Sequence, residues 1–284
     1  MAIDTYFAGL AQILVEGGRP AANLDRAVDA IRQAAALDCR LVVLPECLDL
    51  GWTDPSAREL AQPIPGPHVD RLARAAREGG IYVAAGLVER STEHSTERLY
   101  NAAVLLAPTG EILLHYRKIN ELDIALDLYA VGDRLAVAHT ELGVIGLNIC
   151  ADNFDGSLAI GHTLARMGAQ VIVSPSAWAV DADHDQAAEP YGRLWRDAYG
   201  KLTALYDLTI IGVSNVGWIR GGPWQGRKCI GCSLAMGKGG TILAQGPYGE
   251  QATALIRAEI RPQPPIAHGT DLAAALKERG YGGP

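Results

Sequence analysis

The chain of 284 residues predicts an α/β protein. Apolar residues switch repeatedly between the period of two that marks a strand and the period of 3.6 that marks a helix. Several apolar runs are also short and unbroken, as strands covered on both faces require, and helical and extended segments alternate along most of the chain.

Residues 6–15 read as the first strand. A helix follows with Asn23 as its cap, because Leu24, Val28, Ile31 and Ala35 recur three or four apart and so share one face. The run from Leu41 to Leu44 is continuous and stops at Pro45, which predicts a strand buried on both sides. A second helix opens at Pro67, turns Val69, Leu72 and Ala76 inward, and stops at Gly79 and Gly80. Residues 81–89 form the next strand. Residues 99–107 and 112–116 are strands joined by Pro108, Thr109 and Gly110, which is hairpin chemistry. An irregular stretch covers residues 118–133. The opening unit then recurs as a strand at 144–149, a helix at 157–167 and a strand at 170–173. A longer helix at 191–206 precedes a strand at 208–214. Hairpin-linked strands follow, with Gly237, Gly239 and Gly240 at one turn, and a strand at 253–260 closes a domain spanning residues 1–260. Residues 261–284 carry Pro262, Pro264 and Pro265 and then a short helix at 270–279. This tail is too small to fold alone, so it is expected to lie on the domain or on a partner subunit.

Composition bounds the function. There are 25 basic and 32 acidic side chains, a net charge of −7, with no basic stripe or block of like charge, so no nucleic-acid groove is expected. At 49% hydrophobic and 20% charged the chain is an ordinary globular one. Its longest apolar runs fall far short of the roughly 20 residues that span a bilayer, so no membrane association is expected. The first ten residues include Asp4 and Gly9 and lack a secretory pattern. Five scattered cysteines do not make a disulfide framework. A reducing cytoplasm is the expected location.

Three polar residues stand just beyond three apolar strands: Glu46, Lys118 and Cys150. Ligand sites in α/β sheets gather at the carboxyl ends of strands, so a carboxylate, an ammonium and a thiol are placed to share one site. Together they suffice for nucleophilic acyl transfer. The carboxylate takes the thiol proton, the thiolate attacks a carbonyl, and the oxyanion needs fixed charge and N–H donors. Lys118 and the backbone N–H of Ala151 are candidates for the last task. Taken singly, each residue has an ordinary reading: a core cysteine, a turn glutamate, an exposed strand-end lysine.

Leu44-Pro45-Glu46, Tyr116-Arg117-Lys118 and Cys150-Ala151-Asp152 resemble, in order, the three signatures of the nitrilase superfamily of carbon–nitrogen hydrolases. Supporting segments are Tyr100-Asn101, Thr109-Gly110-Glu111-Ile112, Ser214-Asn215-Val216-Gly217 and Gly231-Cys232-Ser233, so the resemblance covers nearly the whole chain. It implies a four-layer αββα sandwich, a homodimer or higher homo-oligomer, and no metal or organic cofactor. It also implies Glu46 as general base, Lys118 as stabiliser of the tetrahedral intermediate and Cys150 as nucleophile. Several members have a second carboxylate a few residues before a glycine. Asp127, five residues before Gly132, is the best match, with Glu121 and Asp123 as rivals.

Nitrilases proper resemble one another in having Trp and Glu after the cysteine; Ala151 and Asp152 stand here, which resembles the amidase and carbamoylase branches. The expected substrate is therefore a small-molecule amide, with N-carbamoyl amino acids and nitriles as alternatives. Carbamoylases of D-amino acid derivatives carry arginines soon after the cysteine; Asn153 and Phe154 stand here, and Asn153 is taken as a substrate contact. Trp52 and Trp178 either wall the pocket or cover the core. Arg193, Trp195 and Arg196 read as a solvated helix face. Two other classes compete: Cys229 and Cys232 form a single CxxC, a weak sign of zinc or redox chemistry, and an inactive scaffold would work through its interfaces alone.

Overall fold

The computed structural model describes residues 4–93, 96–267 and 269–282. The first half runs β1 (Tyr6–Gln12), α1 (Pro20–Ala36), β2 (Cys39–Val43), α2 (Ala57–Leu60), α3 (Pro67–Gly79), β3 (Tyr82–Ser91), β4 (Arg98–Leu106) and β5 (Ile112–Arg117). The second runs β6 (Val137–Thr140), β7 (Gly143–Leu147), α4 (Ala159–Arg166), β8 (Val171–Ser176), β9 (Ala179–Val180), α5 (Arg193–Tyr206), β10 (Thr209–Ser214), β11 (Val216–Trp218) and β12 (Lys228–Ile230). It continues through β13 (Leu234–Gly237), β14 (Thr241–Gln245), β15 (Ala254–Ile260) and α6 (Asp271–Glu278).

Two six-stranded sheets form, in the orders β15-β1-β2-β3-β4-β5 and β14-β13-β10-β8-β7-β6. Each has three parallel strands at its centre: β1, β2 and β3 in one, β7, β8 and β10 in the other. Antiparallel strands flank both triplets. The helices match as well, since α1 and α3 link the first triplet and α4 and α5 the second. The recurrence in the sequence is thus a doubled topology.

Side-chain alternation stacks these parts. Leu41 and Val43 point into a core shared with Ile172 and Val173 of β8, whereas Val42 and Leu44 join Ile31 of α1 and Leu72 of α3 on the opposite face. All four of these β2-region residues are fully buried. A fully buried Leu or Val contributes about 1.5–3 kcal/mol. The first sheet lies against the second, and α4 and α5 cover the second sheet's outer side. The layers are helix, sheet, sheet, helix, as the resemblance implied.

Some boundaries differ from expectation. Asn23 lies inside α1, which starts at Pro20. Its buried side chain accepts from the Glu16 N–H and donates to the carbonyls of Glu16 and Asp49, stitching two loops together. The edge strand β6 and the four-residue α2 were not anticipated, being too short to show a period. In the tail, Leu272 and Leu276 of α6 enter the main core, and the Arg279 guanidinium donates to the Ala204 carbonyl and pairs with Asp207 at 2.6 Å.

Candidate active site

Glu46 is delivered by the loop after β2. Its N–H donates to the Ser176 carbonyl of the facing sheet at 3.2 Å, and the Gly86 N–H donates to the Pro45 carbonyl at 3.0 Å. Only glycine fits at Gly86, because a Cβ there would lie 2.5 Å from the Glu46 Cα. Farther along the loop, the buried Asp49 carboxylate accepts from the N–H groups of Leu50 and Val88 and contacts His68 at 2.9 Å.

Lys118 follows β5, where its N–H donates to the Asn101 carbonyl. Its ammonium lies 2.7 Å from Glu46 Oε1 and 3.7 Å from Glu121 Oε2, with all three side chains essentially buried. Asn101 Nδ2 donates to the same Glu46 oxygen at 2.6 Å. Burial pulls the Lys118 ammonium down, but Glu121 and Glu46 outweigh it and hold the group well above its ordinary value. Lys118 is therefore held in its charged form by the carboxylates beside it.

Cys150 follows β7 at the start of a 3-10 turn, Cys150–Asn153, with a left-handed φ of 43°. Non-glycine residues seldom adopt that conformation. The turn is held from several sides. The Asp152 carboxylate accepts from the N–H groups of Ile149 and Asn120 and from the Tyr116 hydroxyl, while the Cys150 N–H donates to Ser174 Oγ. The thiol faces Glu46 and the backbone N–H of Ala177. Burial pushes the thiol well up, Glu46 adds to this, and Lys118 opposes it. The resting thiol thus keeps its proton, with a carboxylate in contact to remove it.

The second carboxylate in the cluster is Glu121, not Asp127. Tyr129 and Ala125 anchor the loop after β5 in the core, which leaves Asp123 and Asp127 exposed. Asp127 contributes only its backbone carbonyl, to Arg58. Burial pushes Glu121 up to about 7, Lys118 lowers it, and Glu46 and Asp152 add to the rise. The Asn101 side chain also faces Glu121 and lowers it.

Glu46, Lys118 and Cys150 form the floor of a cavity of about 210 Å³. Ala151, Trp52 and Trp178 line it; Asn153 does not. Asn153 is fully buried beneath the turn, where its amide donates to Ser174 Oγ and the Cys150 carbonyl and accepts from Asn148 Nδ2. Trp195 corrects another expectation. Only 3% exposed, it stacks on Trp178 with ring centroids 4.7 Å apart, whereas Arg193 on the same turn is solvated. Tyr191, Phe154 and Trp224 complete the aromatic wall and were missed as pocket residues. The recurrence of Tyr191, Leu194 and Trp195 three and four apart, on one face of a helix start, was the available signal. All five cysteines are free thiols. Burial pushes Cys229 up to about 12 and Cys232 to about 11, and among the described residues no group of three or more His, Cys, Asp or Glu gathers as a metal site.

Paired sheets with a carboxylate, an ammonium and a thiol gathered beyond their strand ends correspond to the carbon–nitrogen hydrolases. The model of that family matches residues 8–263, and the chain belongs to it. Among solved structures the fold is similar to the nitrilase-superfamily amidase of Nesterenkonia AN1, at 20% identity and a TM-score of 0.75, covering 96% of this chain and 93% of that one. It is also similar to a carbon-nitrogen hydrolase from Helicobacter pylori G27, at 20% identity and a TM-score of 0.79, covering 98% and 92%. Among curated relatives, the omega-amidases NIT2 of Xenopus tropicalis and Homo sapiens are each 32% identical over 165 residues. Those matches take in 55% of this chain and 58% of each relative, so the chain spans under two thirds of their length. No helix among the described residues is long and apolar enough to cross a membrane.

Proposed function

We propose that the protein hydrolyses the C–N bond of a small-molecule amide to a carboxylic acid and ammonia through a thioester on Cys150. The observation that carries this reading is the buried cluster of Glu46, Lys118 and Cys150 opening on one small cavity. Glu46 takes the thiol proton as the sulfur attacks the carbonyl carbon, forming the C–S bond and an oxyanion. The Lys118 ammonium and the Ala151 N–H stabilise that oxygen. Glu46 returns the proton to the amide nitrogen as the C–N bond breaks and ammonia leaves. Water then attacks the thioester, Glu46 accepts its proton, and the acid departs with the thiol restored. Glu121 helps hold Lys118 in place, and the working unit is a cytoplasmic homodimer or larger homo-oligomer.

The test is ammonia release from a panel of primary amides, N-carbamoyl amino acids and nitriles, with intact-mass spectrometry of trapped enzyme. Primary amides are expected to dominate, with an acyl mass gain confined to Cys150. Cys150→Ala should abolish turnover while leaving the circular dichroism unchanged. Turnover retained by that variant overturns the proposal, and predominant nitrile hydrolysis replaces it with the nitrilase reading.

A further inference from the structure

Among the described residues, the charged groups that line the pocket are Glu46 and Lys118, and these neutralise each other at 2.7 Å. Among the described residues no arginine, histidine or second lysine lines it. The walls are aromatic, with Trp178 stacked on Trp195 and Trp52 packed on Trp224, both at 4.7 Å between ring centroids. Few of their polar atoms are open to the cavity. Trp195 Nε1 donates to the Tyr191 hydroxyl at 2.8 Å, and the Nε1 atoms of Trp52 and Trp178 are buried without accessible surface. A bound acyl group therefore meets mostly ring faces and C–H edges, with the charged groups confined to Glu46 and Lys118.

We infer that the enzyme selects amides whose acyl group is uncharged and apolar, with room for one aromatic or branched aliphatic group, and rejects amides that carry a carboxylate. This rests on the amidase reading above. A carboxylate on the acyl chain would lose its hydration in an aromatic enclosure with no free counter-ion. An apolar group instead gains burial and ring stacking. Size sets the upper bound. An apolar cavity of about 150 Å³ holds benzene, so about 210 Å³ accommodates one ring together with the carboxamide.

The test compares kcat/KM for an isosteric pair, 4-methylpentanamide and succinamate, in which an isopropyl group replaces the carboxylate, with phenylacetamide as the aromatic member. The two neutral amides are expected to exceed succinamate at least 100-fold. Leu194→Arg, at a rim position that is 51% exposed, supplies a cation. It should narrow that ratio at least tenfold through a lower KM for succinamate. Succinamate turned over as well as the neutral amides by the unmodified enzyme overturns the selectivity and leaves the amidase reading standing. Failure of every amide to release ammonia or acylate Cys150 overturns both.

Discussion

Replacing Glu121 by Gln tests the electrostatics of the site through stability, independently of any substrate. Glu121 is held near 7 in the folded chain against an ordinary value of 4.5. Between those values the folded protein keeps a proton that the unfolded chain has released, so stability falls as pH rises from about 4.5 to about 7 and levels off above. At 1.36 kcal/mol per pH unit, that displacement amounts to about 3 kcal/mol. Glutamine cannot ionise and removes this part of the pH dependence. Urea unfolding of both proteins at several pH values isolates the effect, because the other titrations cancel in the difference. The Gln variant should gain about 3 kcal/mol relative to the parent between pH 4.5 and pH 8. A difference that stays flat across that range would show that Glu121 titrates as an ordinary carboxylate and that the buried cluster is misdescribed.

Three other substitutions probe the same construction. Lys118→Ala leaves Glu46 and Glu121 buried together without their cation, which should cost about 3–5 kcal/mol as well as activity, read as a melting temperature lower by roughly 10 °C at pH 7. Asn153→Ala removes a structural amide beneath the nucleophile turn. It should lower stability by about 1–3 kcal/mol and reduce kcat with little change in KM; a selective rise in KM would restore Asn153 as a substrate contact. Gly86→Ala drives a Cβ against the Glu46 backbone and should cost about 1–3 kcal/mol while reducing kcat more than tenfold, measured by calorimetry and steady-state kinetics.

The alternation of helices and strands, the hairpins and the reactive residues were legible because each leaves a local mark: a period, a breaker, or a polar residue ending an apolar run. Elements too short for a period, such as β6 and α2, left none. Asn23 misled because a good capping residue can instead use the same amide to bridge two loops, and only tertiary structure decides between them. Asp127 misled because spacing to a glycine says nothing about which side of an irregular loop faces inward. That was settled by burial of Ala125 and Tyr129. Asn153 and Trp195 exchanged their expected roles for a related reason. The polar residue was needed to hold a strained turn, and the aromatic one to cover a neighbouring indole.

The doubled topology leaves the chemistry divided. Glu46 follows a strand of one sheet and Cys150 a strand of the other, and they are tied across the gap by the backbone hydrogen bond from Glu46 to Ser176 and by the Tyr116 and Asn120 bonds to Asp152. A misplacement of about 1 Å at a reacting pair can lower a rate by about 10²-fold, yet a slip of that size between the layers would leave every ladder within each sheet intact. Turnover is therefore a finer gauge of alignment between the sheets than any signal from secondary structure, and agents that loosen the central core should silence the enzyme while its strands and helices are still formed.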